Sequence, residues 1–146
     1  MDVSIIYVNY RTSRLVIDSI NSVKEKTQGI LYEIIIVDNN SGDGSLAKIQ
    51  EIHPDVITIQ SEKNVGFGQA NNLGLKKADG KYIFFLNPDT LLRNNAIGEL
   101  FRFLELNMNV GACGGNLYDE EGNATTSFSR KYPSFLWELL GILYIP

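Results

Sequence analysis

The sequence predicts an α/β domain built on a mostly parallel, doubly wound sheet with helices on both faces. Three observations predict it. Short apolar runs rich in β-branched residues alternate four times with helical patterns. The runs are nearly continuous, as strands buried on both faces require. A polar or glycine-bearing turn follows each run, which is where open α/β sheets take their ligands.

Residues 3–8 (VSIIYV) read as the first strand. Thr12 is placed to cap the next helix, whose Val16, Ile20 and Val23 share one face. Residues 32–37 (YEIIIV) form the second strand, and residues 38–44 (DNNSGDG) a loop. Ser45 caps a short helix carrying Leu46, Ile49 and Ile52. Residues 56–59 are a third strand. Residues 64–68 (NVGFG) lead into a helix ending near Asp79 and Gly80. Residues 81–86 (KYIFFL) form the fourth strand, which Pro88 stops because it has no N–H and a fixed φ. Asn94 or Asn95 caps an amphipathic helix marked by Ile97, Leu100, Phe101 and Leu104. Residues 110–117 read as another strand, weakened by three glycines. Residues 119–123 (DEEGN) suit a hairpin turn with Gly122 or Asn123 at positive φ, and residues 124–129 pair back.

A chain of 146 residues fits one domain with a real core. Residues 1–132 read as that domain and residues 133–146 as an apolar tail. The net charge of −4, with no basic stripe, argues against a nucleic-acid backbone binder. The single cysteine, Cys113, excludes an intramolecular disulfide, and its apolar neighbours favour a small buried core residue over a nucleophile. That usage fits a reducing cytoplasm. No leader-like segment opens the sequence, and no apolar run reaches the ~18 residues that span a bilayer. His53, before Pro54 at a helix end, reads as a surface residue, and Arg130 with Lys131 as a solvated pair.

Four turns hold the candidate chemistry. Asp38 ends an apolar strand and would sit at a cleft rim, free to accept hydrogen bonds from a base or ribose. It is equally suited to bracing its own loop, and the turn formers Asn39, Asn40 and Ser41 favour that second role. Asn87-Pro-Asp89-Thr90 presents Asp89 at a strand tip, where a hard cation would suit a diphosphate; alone it is also an ordinary turn before a helix. In residues 64–74 (NVGFGQANNLG), Gly66 and Gly68 allow close backbone approach, and the helix amides beyond suit an anion. No Gly-Lys-Ser/Thr follows, and Asn71 stands where a dinucleotide fingerprint has its third glycine.

Residues 3–10, 36–41, 64–74 and 80–90 together resemble, in order and spacing, family 2 of the inverting glycosyltransferases, especially its rhamnosyltransferase-like members. The resemblance covers about two thirds of the chain, and its specificity lies in the ordered set. It implies a Rossmann-like GT-A fold, a nucleoside-diphosphate sugar donor and a divalent cation, Mg²⁺ or Mn²⁺. It implies that Val8, Asn9 and Tyr10 pack on base and ribose, and that Asp38 reads the base. Asn64, Gly66, Asn71 and Asn87 fall in the matching nucleotide-binding segments. Asp89 matches the last carboxylate of the Asp-x-Asp metal motif, with Asn87 in place of the first, a departure that predicts weaker metal binding.

The implied reaction is a single displacement at the anomeric carbon, with a carboxylate deprotonating the acceptor hydroxyl. The acceptor would be a saccharide or a lipid-linked sugar, in cell-surface polysaccharide synthesis. No residue stands out as that base, and Asp119, Glu120 and Glu121 read as a solvent-facing turn. A fragment of a longer protein is therefore expected, or a non-catalytic nucleotide-sugar module. A sugar nucleotidyltransferase is disfavoured, because residues 9–13 (NYRTS) lack the glycines of its phosphate loop. The tail suits docking on further chain or a homodimer interface better than peripheral contact with the inner face of a membrane, since it lacks a basic face.

Overall fold

The computed structural model describes residues 1–119 and 121–125. The tail, Arg130, Lys131 and most of the expected last strand lie outside them. The chain divides into two compact units, Met1–Cys113 and Gly114–Pro146.

The first unit holds β1 (Val3–Asn9), α1 (Ser13–Lys26), β2 (Tyr32–Asp38), α2 (Ser45–Ile52), β3 (Ile57–Gln60), α3 (Phe67–Leu75), β4 (Tyr82–Phe85) and α4 (Ala96–Leu106). The four strands form one parallel sheet in the order β3-β2-β1-β4. The two central strands carry the longest apolar runs. Ile5, Ile6, Ile35 and Ile36 lie buried in them, each burial contributing about 2–3 kcal/mol.

Period-two alternation sorts these residues onto two faces. Val3, Ile5, Tyr7, Ile34 and Ile36 pack with Val16, Ile20 and Val23 of α1, Ile49 of α2 and Ile97 of α4. Val8 and Val37 on the other face pack with Ala70 of α3. Helices thus cover both faces, as expected. Gly74 explains how α3 comes so close. A Cβ there would lie 2.6 Å from Ile6 Cγ2 and 3.3 Å from Val37 Cγ2, so only glycine fits without displacing the strands.

At the amino-terminal edge of the sheet, Ser4 Oγ donates to Glu33 Oε1 at 2.5 Å, and Gly80 N donates to Ser4 Oγ at 2.8 Å. Asp79 N reaches the same Glu33 oxygen at 2.8 Å. This cluster fixes the entry of β4 beside β1. A Cβ on Gly80 would lie 2.4 Å from the backbone nitrogen of Ser4.

Several local expectations are corrected. Thr12 occupies the N-cap of α1, but its hydroxyl donates to Asn9 Oδ1 instead of capping. The N-cap of α2 is Gly44 at φ 73°, and Ser45 is the first helical residue, with Asp43 accepting its N–H at 3.0 Å. Asn95 does cap α4 by position, but its side chain pairs with the backbone of Gln28. Helix α3 ends at Leu75, short of Asp79. His53 is buried, because the end of α2 packs on α1 with Lys24 Nζ 3.3 Å from His53 Nδ1. Residues 110–116 form no strand, and Cys113 is exposed; three glycines in seven positions offer little to pack and much backbone entropy to lose.

The described part of the second unit is a hairpin. β5 (Leu117–Tyr118) pairs antiparallel with β6 (Ala124–Thr125). Asp119 Oδ1 accepts the Asn123 N–H at 2.8 Å, and Gly122 takes φ 89°, as expected of this turn.

Candidate functional site

Parallel pairing brings the carboxyl ends of β1, β2 and β4 side by side, and the loops that leave them interlock. Asn9 and Asp38 are register partners at the tips of β1 and β2. Both are buried, Asp38 at 3% exposure. Asn9 Nδ2 donates to Asp38 Oδ1 at 3.0 Å and lies 3.2 Å from Ser41 Oγ. The Ser41 hydroxyl also donates to Asp38 Oδ1, and Ser41 N reaches Oδ2 at 3.3 Å. Asn9 Oδ1 accepts from Thr12 N at 3.2 Å and from Thr12 Oγ1 at 3.0 Å.

Arg11 turns the chain at φ 59°, a left-handed conformation that costs about 1 kcal/mol or more for a non-glycine residue. Ser41 offsets that cost, taking a hydrogen bond from Arg11 N at 2.9 Å on its hydroxyl and one from Arg11 Nε at 3.2 Å on its carbonyl. The bracing role of Asp38 is therefore realised. Its Oδ2, with one long hydrogen bond, keeps acceptor capacity.

The next residue carries the network to the third loop. Asn39 N donates to Asn9 O at 2.8 Å. Asn39 Nδ2 donates to Asn64 Oδ1 at 3.0 Å, and Asn39 Oδ1 accepts from Val65 N at 2.9 Å. Gly66 N also donates to Asn64 Oδ1 at 3.0 Å. Gly66 takes φ 82° at the N-cap of α3, which only glycine adopts without strain.

These loops enclose an open cleft of about 300 Å³ lined by Val8, Tyr10, Thr12, Asn39, Asn64, Gly66, Phe67 and Pro88. Val8 is its apolar floor. Tyr10 and Phe67 are exposed rings, at 43% and 58%, at its edges. Pro88 brings in the segment that leaves β4, with exposed Asn87 and Asp89 on either side.

Of the residues expected from sequence, Val8, Tyr10, Asn64 and Gly66 line the cleft, while Asn9 and Asp38 lie behind it as framework. Asn87 and Asp89 flank Pro88. Asn71 is buried in α3, where its Nδ2 donates to Phe67 O at 3.2 Å, and it is not among the lining residues. Thr12, Asn39, Phe67 and Pro88 are lining residues that sequence reasoning did not single out as ligand contacts. Adjacency to Asp38 and Asp89 was the available signal for Asn39 and Pro88.

Among the described residues no three His, Cys, Asp or Glu side chains cluster as a metal cage. The donor set still fits a hard cation of the kind that keeps its waters. Mg²⁺ and Mn²⁺ sites need only one or two protein carboxylates when phosphate oxygens complete the shell. Asp89 could supply one such carboxylate and Asn87 an amide oxygen; both are solvent-facing and flank Pro88 of the cleft lining.

Known proteins resemble the chain in sequence and in fold. The minor teichoic acid biosynthesis protein GgaB of Bacillus subtilis is 30% identical over 112 residues, which cover 74% of this chain and 12% of that protein. Among solved structures, S. aureus TarS in complex with UDP-GlcNAc superposes with a TM-score of 0.66 at 22% identity, over 74% of this chain and 32% of TarS. The Pyrobaculum calidifontis mannosyltransferase PcManGT, solved with GDP-Man and Mn²⁺, gives 0.63 at 22% identity, over 70% and 32%. The fold is thus the GT-A type. The chain spans only 12 to 47% of the length of the first curated relatives it matches. The sequence profile described as Glycosyl transferase family 2 matches residues 4–144, nearly all of the 146, and the chain belongs to that family.

Proposed function

We propose that this chain is the donor-binding part of a glycosyltransferase that takes its sugar from a nucleoside diphosphate and transfers it with inversion. One observation carries the reading. A single cleft at the carboxyl ends of β1, β2 and β4 is lined by residues adjoining both Asp38 and Asp89.

In this reading the base and ribose lie over Val8, between Tyr10 and Phe67. Asn39 and Asn64 present amide edges to the base, and Asp38, behind the lining residues, fixes the turn that carries Asn39. The diphosphate lies toward Pro88 and the start of α3. Asp89, with Asn87, would hold a divalent cation, which when bound neutralises charge on the leaving diphosphate. An acceptor hydroxyl oxygen attacks the anomeric carbon as the bond to the diphosphate oxygen breaks. The hydroxyl proton passes to a base, and the configuration inverts.

The acceptor is read as a saccharide or lipid-linked sugar in cell-surface polysaccharide synthesis, at the cytoplasmic face of the membrane. The teichoic acid role of GgaB and the teichuronic acid role assigned to TuaG of Bacillus subtilis, another relative of this chain, support this. No helix among the described residues is long and apolar enough to cross a membrane.

A second reading keeps the donor and drops the transfer. Among the described residues the cleft lining holds no carboxylate to act as base, which favours a binding module completed by other chain. Calorimetric titration with UDP, GDP and dTDP, each with and without Mn²⁺, tests the shared premise. Saturable binding by one of them, tightened by Mn²⁺, is expected; no binding by any of the three would end both readings. Single-turnover release of sugar from the matching donor then separates enzyme from module.

A further inference from the structure

The segment from Leu86 to Leu92 leaves β4, carries Asp89 at its middle, and is anchored at both ends. Leu86 is buried and its N–H donates to Ile6 O at 3.0 Å. Leu92 is buried too. Thr90 N donates to Asn87 O at 3.1 Å, closing a turn whose tip is Pro88-Asp89.

Helix α1 reaches across to hold this turn. Ser19 Oγ donates to Thr90 O at 2.5 Å, and Ser22 Oγ accepts the Leu92 N–H at 3.0 Å. Ser22 Oγ spends its own hydrogen on Ser19 O at 2.7 Å. Tyr7 Oη lies 2.9 Å from Ser19 Oγ. A carbonyl can only accept, so the Ser19 hydrogen is committed to Thr90, and Tyr7 must be the donor to Ser19. The relay runs in one direction, from the Tyr7 hydroxyl through Ser19 to the Thr90 carbonyl. Tyr7 and Ser19 are completely buried, so solvent offers no replacement partner.

We propose that Ser19, oriented by Tyr7 and assisted by Ser22, is a positioning residue that holds the Pro88-Asp89 tip where its carboxylate meets a cation. This rests on the reading of Asp89 given above. None of the three touches the cleft. Their effect passes through the backbone of residues 90 and 92 to an otherwise exposed turn.

The test compares the wild-type chain with Ser19→Ala, Tyr7→Phe and Ser22→Ala. Electron paramagnetic resonance measures Mn²⁺ affinity with whichever of UDP, GDP or dTDP the chain binds, and calorimetry measures the affinity for that nucleotide without metal. Ser19→Ala is expected to weaken Mn²⁺ by about tenfold or more, as loss of a group orienting a ligand does. Tyr7→Phe, which leaves the Ser19–Thr90 bond in place, is expected to weaken it less. Metal-free nucleotide affinity stays unchanged in all three. Asp89→Ala added to Ser19→Ala is expected to cost no more than Asp89→Ala alone.

Unchanged Mn²⁺ affinity in a folded Ser19→Ala chain overturns the proposal. So does a parallel loss of metal-free nucleotide affinity, which would mark a general structural role. If Ser19→Ala does not fold, Ser22→Ala at its half-buried position is judged by the same two criteria. A wild-type chain that binds nucleotide without any Mn²⁺ enhancement removes the role of Asp89 itself, a failure distinct from that of the clamp.

Discussion

Replacing Asp38 with alanine removes the acceptor on which Asn9 Nδ2, the Ser41 hydroxyl and Ser41 N converge. Two of those donors have little alternative. Ser41 N is buried, and Asn9 Nδ2 retains only the 3.2 Å approach to Ser41 Oγ. The Ser41 hydroxyl can rotate, so its loss is partial. A buried donor left without a partner costs about 1–3 kcal/mol, which places the variant about 3 kcal/mol below wild type. With a urea m-value of about 2 kcal/mol/M for a chain of this size, the midpoint falls by about 1.5 M at unchanged m. Asp38→Asn keeps an oxygen for Asn9 and Ser41 but turns an NH₂ toward Ser41 N, so a loss of about 1–2 kcal/mol is expected. Urea titration followed by far-ultraviolet circular dichroism reads both. Stability within about 0.5 kcal/mol of wild type in Asp38→Ala would refute the bracing role, since surface substitutions commonly do no more than that. Nucleotide affinity separates the second role. If Asp38 also reads the base, Asp38→Asn loses about tenfold or more in affinity while remaining folded.

The other perturbations probe different parts of the molecule. Gly74→Ala gains about 1 kcal/mol of helix propensity but drives a methyl to 2.6 Å from Ile6 Cγ2, so a net loss of about 1–2 kcal/mol by urea titration is expected. A more stable variant would show that α3 has room to lift. Asp89→Ala is expected to abolish Mn²⁺ enhancement of nucleotide binding while leaving metal-free binding and the urea midpoint unchanged; calorimetry decides, and retained enhancement would place the cation elsewhere. Burial and then the Lys24 charge hold the His53 pKa below its ordinary value. The unfolded chain therefore takes up the proton first, and stability, full above about pH 6.5, falls as the pH drops from there through the folded pKa. His53 is the only histidine in the sequence. His53→Leu should therefore flatten the urea midpoint between pH 7 and 5, and an unaltered slope would assign it to another group.

Strands β1 and β2 were legible because residues buried on both faces leave an uninterrupted apolar run, which needs no knowledge of neighbours. The alternation of strands and helices then sufficed for a parallel sheet, and so for the end at which the cleft opens. Pairings between distant residues were not legible. Asn9 meets Asp38 only because β1 and β2 run parallel in one particular register, across 29 positions of sequence. Ser19 lies between Val16 and Ile20 on the buried face of α1, yet as a serine it offered no apolar signal. His53 gave the opposite error. Its place beside Pro54 at a helix end suggested exposure, and only the packing of α2 on α1 buries it. The 110–117 segment failed for a third reason. Its apolar residues suggested a strand, but its glycines leave too little side chain to hold one.

The cleft is therefore made of loops of unequal rigidity, and this bears on how a ligand is held. The turns after β1 and β2 are bound to each other through Asn9, Arg11, Asp38 and Ser41, and Asn39 extends the lattice to Asn64. In the proposed donor mode, a base over Val8 would meet amides already fixed in place, so little ordering entropy would be lost on binding. The Pro88-Asp89 tip is different. It is exposed, and it depends on contacts made by its neighbours Thr90 and Leu92 and not by its carboxylate. A cation bound there as proposed would therefore draw its strength from ligand oxygens as much as from the protein, the more so because Asn87 withholds a charge. Donor recognition and metal capture should accordingly separate in measurement. Nucleotide affinity should follow the Asn9–Asp38–Asn39 lattice and be nearly independent of metal in Asp89 variants, whereas Mn²⁺ affinity should be slight until a diphosphate is present. Tight Mn²⁺ binding by the nucleotide-free chain would contradict this division, because a lone exposed carboxylate and an amide cannot supply it.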